Sequence, residues 1–196
     1  MGEYLNPGND GFETIRNGIY VDKTGLIDYI NSTIYTPLKL TSFSRPRRFE
    51  KSFAAKMLCA YYDRSCDSRS LFEGLEISKK ATFEKNLNQY DVIYLDITWF
   101  ISTTNDVKNV VTDIQDSVIS ELKHEFPAYV SPEERSLSRV LSGIAVKTGN
   151  KTLAFECPQP CMLCGRKNGK QEKSLARRHK RWKNGQICLL RDTVDV

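Results

Sequence analysis

The chain of 196 residues contains no apolar run near the ~20 residues that a membrane-spanning helix needs. Its N-terminus, Met1-Gly2-Glu3-Tyr4-Leu5-Asn6-Pro7-Gly8, lacks the basic and apolar stretches of a secretory signal. Asn6 stands where myristoylation at Gly2 wants Ser or Thr. No internal repeat is present. These absences exclude a membrane partner through a spanning helix and point to the cytoplasm. There the six cysteines, Cys59, Cys66, Cys157, Cys161, Cys164 and Cys188, are expected to be reduced.

What is present is ordinary for a globular chain: 40% hydrophobic and 27% charged residues, with length for one domain but not for two full α/β domains. The net charge of +5 is unevenly spread. Residues 1–150 hold 18 Lys+Arg against 20 Asp+Glu, and residues 151–196 hold 11 against 4. The basic character therefore belongs to the last 46 residues, and this shift marks a boundary near residue 152.

Strand and helix periods alternate along the first part. Residues 19–24 read as a short β-prone piece before a helix capped by Asp22 or Thr24, with Leu26, Ile27, Tyr29, Ile30 and Ile34 on its apolar face. Leu38–Phe43 alternates as a strand, and Lys51–Tyr62 reads as a helix with Ala54, Ala55, Leu58, Tyr61 and Tyr62 inward. Phe83–Asn88 is a short helix, and Val92–Ile97 is a strand of buried type. Val107–Phe126 carries an apolar stripe through Val107, Val110, Val111, Ile114, Val118, Ile119 and Leu122. A further helix is expected to start at Ser131-Pro132, and a strand at Leu153-Ala154-Phe155. The order predicts an α/β layered fold with a mainly parallel sheet. Residues 38–43, 92–97 and 152–155 would be neighbouring strands.

Between the first strand and the Lys51 helix lies Ser44-Arg45-Pro46-Arg47-Arg48-Phe49-Glu50. A phosphate-binding loop needs backbone N–H groups and a helix N-terminus facing phosphate, a Lys for the β- and γ-phosphates, and a hydroxyl for Mg²⁺. Lys51 and Ser52 sit where the last two would fall. The usual pattern also needs two glycines; Arg45 and Glu50 occupy those positions. On pattern alone the segment is a basic loop before a helix.

The run Ser-Arg-Pro-Arg-Arg-Phe-x-Lys-Ser resembles the variant Walker A loop of the predicted AAA-ATPase-like family. Tyr20-Val21-Asp22-Lys23-Thr24 is similar to that family's N-terminal signature. The 55–62 helix, the Leu71-Phe72-x-Gly74-Leu75 segment and the Tyr90–Ile93 strand are similar as well. The resemblance covers roughly residues 3–150. It implies a P-loop NTPase-like three-layer fold, ATP and Mg²⁺ as ligands, and a nucleotide site at Arg45, Pro46, Arg47, Arg48, Phe49, Glu50, Lys51 and Ser52, with Ser52 on the metal.

Two departures follow. Glu50 replaces the loop glycine, placing a carboxylate near the β-phosphate. One unit of like charge at ~4 Å and an effective dielectric of ~20 costs about 4 kcal/mol. The family's Walker B strand, ending in Asp-Glu, is expected just after Lys151, but the sequence there is Leu153-Ala154-Phe155-Glu156-Cys157-Pro158. The domain, residues 1–152, is thus expected to be degenerate, without hydrolysis, and truncated after its third or fourth strand. Val92-Ile93-Tyr94-Leu95-Asp96 also has Walker B shape, but the resemblance gives this strand no metal role, and Asp96-Ile97-Thr98 reads as a structural cap.

Residues 153–196 read as a basic, cysteine-containing tail, disordered or produced by a shifted reading frame. Cys157, Cys161 and Cys164 have C-x₃-C-x₂-C spacing, which suits an iron–sulfur cluster, but the 32 residues after Cys164 are too few for the barrel such enzymes need. A zinc site completed by His179 or Cys188 lacks a second C-x-x-C. Arg166–Lys183 holds ten basic residues, His179 among them, against Glu172 alone. That segment offers the alternative function, a non-enzymatic nucleic-acid-binding module working through phosphate contacts; the plainer reading is a solvated tail.

Overall fold

The computed structural model describes residues 2–34, 36–39, 41–44, 51–104, 107–157 and 186–190. Its helices are α1 (Asp10–Arg16), α2 (Gly25–Thr33), α3 (Lys51–Tyr62), α4 (Arg69–Phe72), α5 (Phe83–Asn86), α6 (Ile97–Thr103), α7 (Val110–Glu125) and α8 (Leu137–Thr148). Its strands are β1 (Ser42–Ser44), β2 (Asp91–Asp96), β3 (Thr152–Cys157) and β4 (Gln186–Leu190). None of the described helices is long and apolar enough to cross a membrane.

The strand order is β1-β4-β3-β2. β2 and β3 are parallel and in step, from Asp91 opposite Thr152 to Asp96 opposite Cys157. β4 pairs antiparallel with both β1 and β3. Two expectations are corrected here. The described sheet is mixed rather than mainly parallel, and β1 is separated from β3. The cause is the short run Gln186-Ile187-Cys188-Leu189-Leu190, whose four apolar residues follow the basic segment and which takes a place between β1 and β3.

Side chains along β2 and β3 alternate between two cores. Val92, Leu153 and Phe155 join a cluster with Phe12, Ile27, Ile30, Met57, Leu58, Tyr61, Tyr62, Phe72 and Ile77. Ile93 and Leu95 join a second cluster with Phe100, Val118, Ile119, Leu122, Val140 and Ile144. Helices therefore cover both faces, in an α/β arrangement of three layers. The β2–β3 crossover is made by α6, α7 and α8, as parallel strands require.

Helix α3 is the centre of the first core. Ala55 and every residue from Met57 to Tyr62 are buried, so its C-terminal half is enclosed all round. Its buried hydroxyls are partnered: Tyr62 donates to Asn31 Oδ1 at 2.8 Å, and Tyr61 donates to the Phe83 carbonyl at 2.8 Å while accepting from Asn31 Nδ2 at 3.1 Å. Burial pushes the Tyr61 phenol up to about 12.

The outer edge of β2 is covered by the chain's beginning. Leu5 bridges Ile93 antiparallel, Tyr94 N–H donates to the Tyr4 carbonyl at 2.8 Å, and Asn6 N–H donates to the Val92 carbonyl at 2.7 Å. Glu121 on α7 anchors this segment by accepting from the N–H of Tyr4 (2.9 Å) and Leu5 (3.1 Å). An exposed strand edge is thereby closed.

Several element boundaries differ from expectation. Residues 19–23 form no strand, and β1 is confined to Ser42–Ser44. Tyr29 is 50% exposed and Val111 65%, so neither belongs to the apolar face assigned to it. The last helix begins at Leu137, not at Ser131, because the Glu134 carboxylate takes the N–H groups of Arg135 and Ser136 and forms a turn there.

Candidate functional site

The register across four strands fixes which residues share one end of the sheet. Ser42 is opposite Cys188, Cys188 is opposite Glu156, and Glu156 is opposite Leu95. β1, β3 and β2 therefore run in the same direction, and Ser44, Cys157 and Asp96 all lie at the carboxyl end. In open α/β sheets this is the end where ligands bind.

Helix α3 returns from that end to the other. Six residues separate Ser44 from Lys51. At the far terminus, the Tyr62 carbonyl accepts from Tyr90 N–H at 2.9 Å, and the Tyr62 and Tyr90 rings meet edge to face at 5.4 Å, just before β2 begins. At ~1.5 Å per helical residue α3 spans about 17 Å, and at ~3.3 Å per strand residue β2 spans about the same. The first turn of α3, with Lys51 and half-buried Ser52, is thus level with Asp96.

Of the residues predicted for the site, Lys51 and Ser52 open α3. Arg45, Pro46, Arg47, Arg48, Phe49 and Glu50 lie outside the described residues, as do Cys161, Cys164, His179 and the basic segment 166–183. Cys157 ends β3 and Cys188 lies within β4. Among the described residues there is no group of three or more His, Cys, Asp or Glu able to hold a metal.

Asp96 is the N-cap of α6, as the strand-exit pattern predicted. Its Oδ1 accepts from Thr98 N–H at 2.9 Å and Trp99 N–H at 3.3 Å. The 20–24 segment also has a structural role. Asp22 Oδ1 accepts from the N–H (2.8 Å) and hydroxyl (2.7 Å) of Thr24, and its Oδ2 accepts from Glu76 N–H at 2.7 Å. Burial acts to raise the Asp22 carboxyl, but these donors outweigh it and leave it below the usual carboxylate range. Buried Thr24 then accepts from Ile77 N–H at 3.1 Å, so the Asp-Lys-Thr run ties the start of α2 to the 76–79 turn.

Sequence reasoning missed the support beneath α3. Asp63, fully buried, accepts from Gly8 N–H at 2.6 Å and Ser65 N–H at 2.8 Å. Asn88, in the left-handed region at φ 54°, donates to the Ala60 carbonyl at 3.2 Å and the Asp63 carbonyl at 2.6 Å. The only local signal was Asn88 itself, a residue type that tolerates this conformation.

A family model described as predicted AAA-ATPase matches residues 7–155. No curated protein and no solved structure matches the chain.

Proposed function

The chain belongs to the predicted AAA-ATPase family, and from that premise we propose that it is an ATP-binding domain whose nucleotide loop runs from Arg45 to Ser52 between β1 and α3. The observation that supports this is the position of the Arg-Pro-Arg-Arg-Phe-x-Lys-Ser run, which joins the carboxyl end of β1 to the N-terminus of α3. That end supplies N–H groups and a favourable dipole for phosphate. Lys51 provides the cation for the β- and γ-phosphates, and Ser52 the hydroxyl for Mg²⁺. Hydroxyl and phosphate oxygens are the hard donors that Mg²⁺ prefers.

Glu50 opposes binding in two ways. Its carboxylate repels the β-phosphate, and a side chain replaces the glycine that lets backbone approach closely. A penalty of about 4 kcal/mol corresponds to about a thousandfold in affinity. An arginine of the same loop, Arg47 or Arg48, would offset part of it if it neutralised the carboxylate. Hydrolysis is negligible in this reading, because β3 ends in Glu156-Cys157 and not in the Asp-Glu that would hold the metal and orient water.

Isothermal titration with Mg-ATP tests the proposal. Heat of binding at or below millimolar ATP is expected, stronger in Glu50→Gly. No heat up to millimolar ATP in either chain rejects nucleotide binding. A gel shift of nucleic acid by the full chain, lost on removing residues 151–196, would favour the alternative based on the basic segment.

A further inference from the structure

The corner after α1 carries a chemically reactive pair. The helix ends at Arg16, and Asn17 and Gly18 follow it, both exposed. Among the described residues, Asn17 is the only asparagine followed by glycine. Ile19, next along the chain, is fully exposed. The backbone nitrogen after an asparagine can close a five-membered ring on its side-chain amide. Glycine, with no Cβ and a permissive backbone, leaves that approach open.

In the folded chain two hydrogen bonds hold the reaction back. Asn17 N–H donates to the Glu13 carbonyl at 3.0 Å, and Gly18 N–H donates to the Ile15 carbonyl at 3.1 Å. The Gly18 nitrogen is the attacking atom, so the second bond keeps it occupied. Asn17 is also helical, at φ −72° and ψ −11°, and ring closure needs ψ turned away from that value. Both bonds belong to a helix end, the part of a helix that frays at little cost. The space around Gly18 is open: an added Cβ would meet only the Ile15 carbonyl oxygen, at 3.5 Å.

We propose that Asn17-Gly18 is a site of spontaneous covalent modification, at which Asn17 deamidates through a succinimide each time the last turn of α1 opens. The Gly18 nitrogen attacks Asn17 Cγ, the N–Cγ bond forms, and the Cγ–Nδ2 bond breaks. The side-chain nitrogen leaves as ammonia, carrying the proton of the Gly18 amide. Water then opens the ring. Breaking the new N–Cγ bond gives aspartate, and breaking the original peptide bond gives isoaspartate. Either product places a carboxylate at the C-terminal end of α1, where the helix dipole disfavours an anion. Isoaspartate also lengthens the backbone by one atom just before Tyr20. The Tyr20 ring meets Phe12 edge to face at 5.5 Å and lies under the Arg16 guanidinium at 5.5 Å, so that product disturbs the packing of α1.

Peptide mapping by mass spectrometry tests this. The full chain is kept in mildly alkaline buffer, with and without urea, and sampled over time. Trypsin cuts after Arg16 and Lys23, which isolates Asn17 from every other asparagine. The 17–23 peptide should gain the mass of an amide-to-acid exchange and split into two peaks, aspartate and isoaspartate. Conversion should be several-fold slower in the folded chain than in urea. Gly18→Ala should slow it several-fold in both arms. Gly18 does not need a positive φ, and the added methyl makes an ordinary contact, so the unfolding midpoint of this variant should not fall below the parent's. An Asn17 that stays intact in the folded chain, after that in urea has converted, overturns the site. Equal rates in the two arms overturn the helix turn as its gate. Conversion untouched by Gly18→Ala overturns the succinimide route.

Discussion

Tyr62 donates its buried hydroxyl to Asn31 Oδ1 at 2.8 Å, joining α3 to α2 through side chains 31 positions apart. The same Asn31 donates to the Tyr61 hydroxyl at 3.1 Å. One amide thus satisfies two tyrosines that are fully shielded from solvent. Asn31→Leu removes the acceptor of Tyr62 and a donor to Tyr61, at a cost of about 1–3 kcal/mol in unfolding free energy. Urea denaturation measures it; a change below about 0.5 kcal/mol would show that the pair does not hold α2 on α3.

The Tyr61 phenol makes stability pH-dependent in the alkaline range. Its folded value of about 12 lies above the ordinary value of 10.0. The unfolded chain therefore releases this proton first, and between pH 10 and 12 it binds fewer protons than the native state. Stability is complete below pH 10 and declines as pH rises, by at most about 1.4 kcal/mol per pH unit from this group. Denaturation midpoints at pH 9, 10 and 11 should fall less steeply in Tyr61→Phe than in the parent. Parallel slopes would contradict the assignment.

Glu121→Ala should release the segment that closes the β2 edge. It deprives the Tyr4 and Leu5 N–H groups of their carboxylate, with an expected cost of about 1–3 kcal/mol. Hydrogen exchange should quicken at the amides of Asn6 and Tyr94, which bond across that edge. Unchanged protection at Tyr94 would mean that the strand pairing persists without the anchor.

At Asp96, alanine and asparagine should part company. Asp96→Ala loses the cap of α6 and is expected to cost about 0.5–2 kcal/mol, whereas Asp96→Asn should stay within about 0.5 kcal/mol of the parent. Thermal or urea unfolding of the two variants decides this, and equal losses would show that the charge, not the cap, is what stabilises the turn.

Legibility in the sequence followed the range of the interactions. Helix α3 was readable because its apolar residues repeat at helical spacing over 12 residues, and β2 because Val92, Ile93, Tyr94 and Leu95 form an unbroken apolar run. Asp96 as a cap was readable for the same local reason. The pairing of Tyr4–Asn6 with β2 was not, since it depends on partners about 90 positions away and on Glu121. β4 was hidden by averaging: the excess of Lys and Arg over the final 46 residues obscured the four-residue apolar run Ile187-Cys188-Leu189-Leu190 near their end. α1 has seven residues, too few to show a period clearly. At the candidate site, the family resemblance alone raised Lys51 and Ser52 above an ordinary helix start. No feature of the sequence could place them level with Asp96, because that depends on the sheet register.

The most direct test of the nucleotide reading is the ATP affinity of Glu50→Gly and of Glu50→Gly with Lys51→Ala, measured by isothermal titration in Mg²⁺ against the parent chain. Glu50→Gly should tighten binding by about tenfold to a thousandfold, the lower figure applying if Arg47 or Arg48 already neutralises the carboxylate. Adding Lys51→Ala should remove most of that gain. An affinity left unmoved by both changes would contradict the account, because the segment between β1 and α3 would then not be where nucleotide binds.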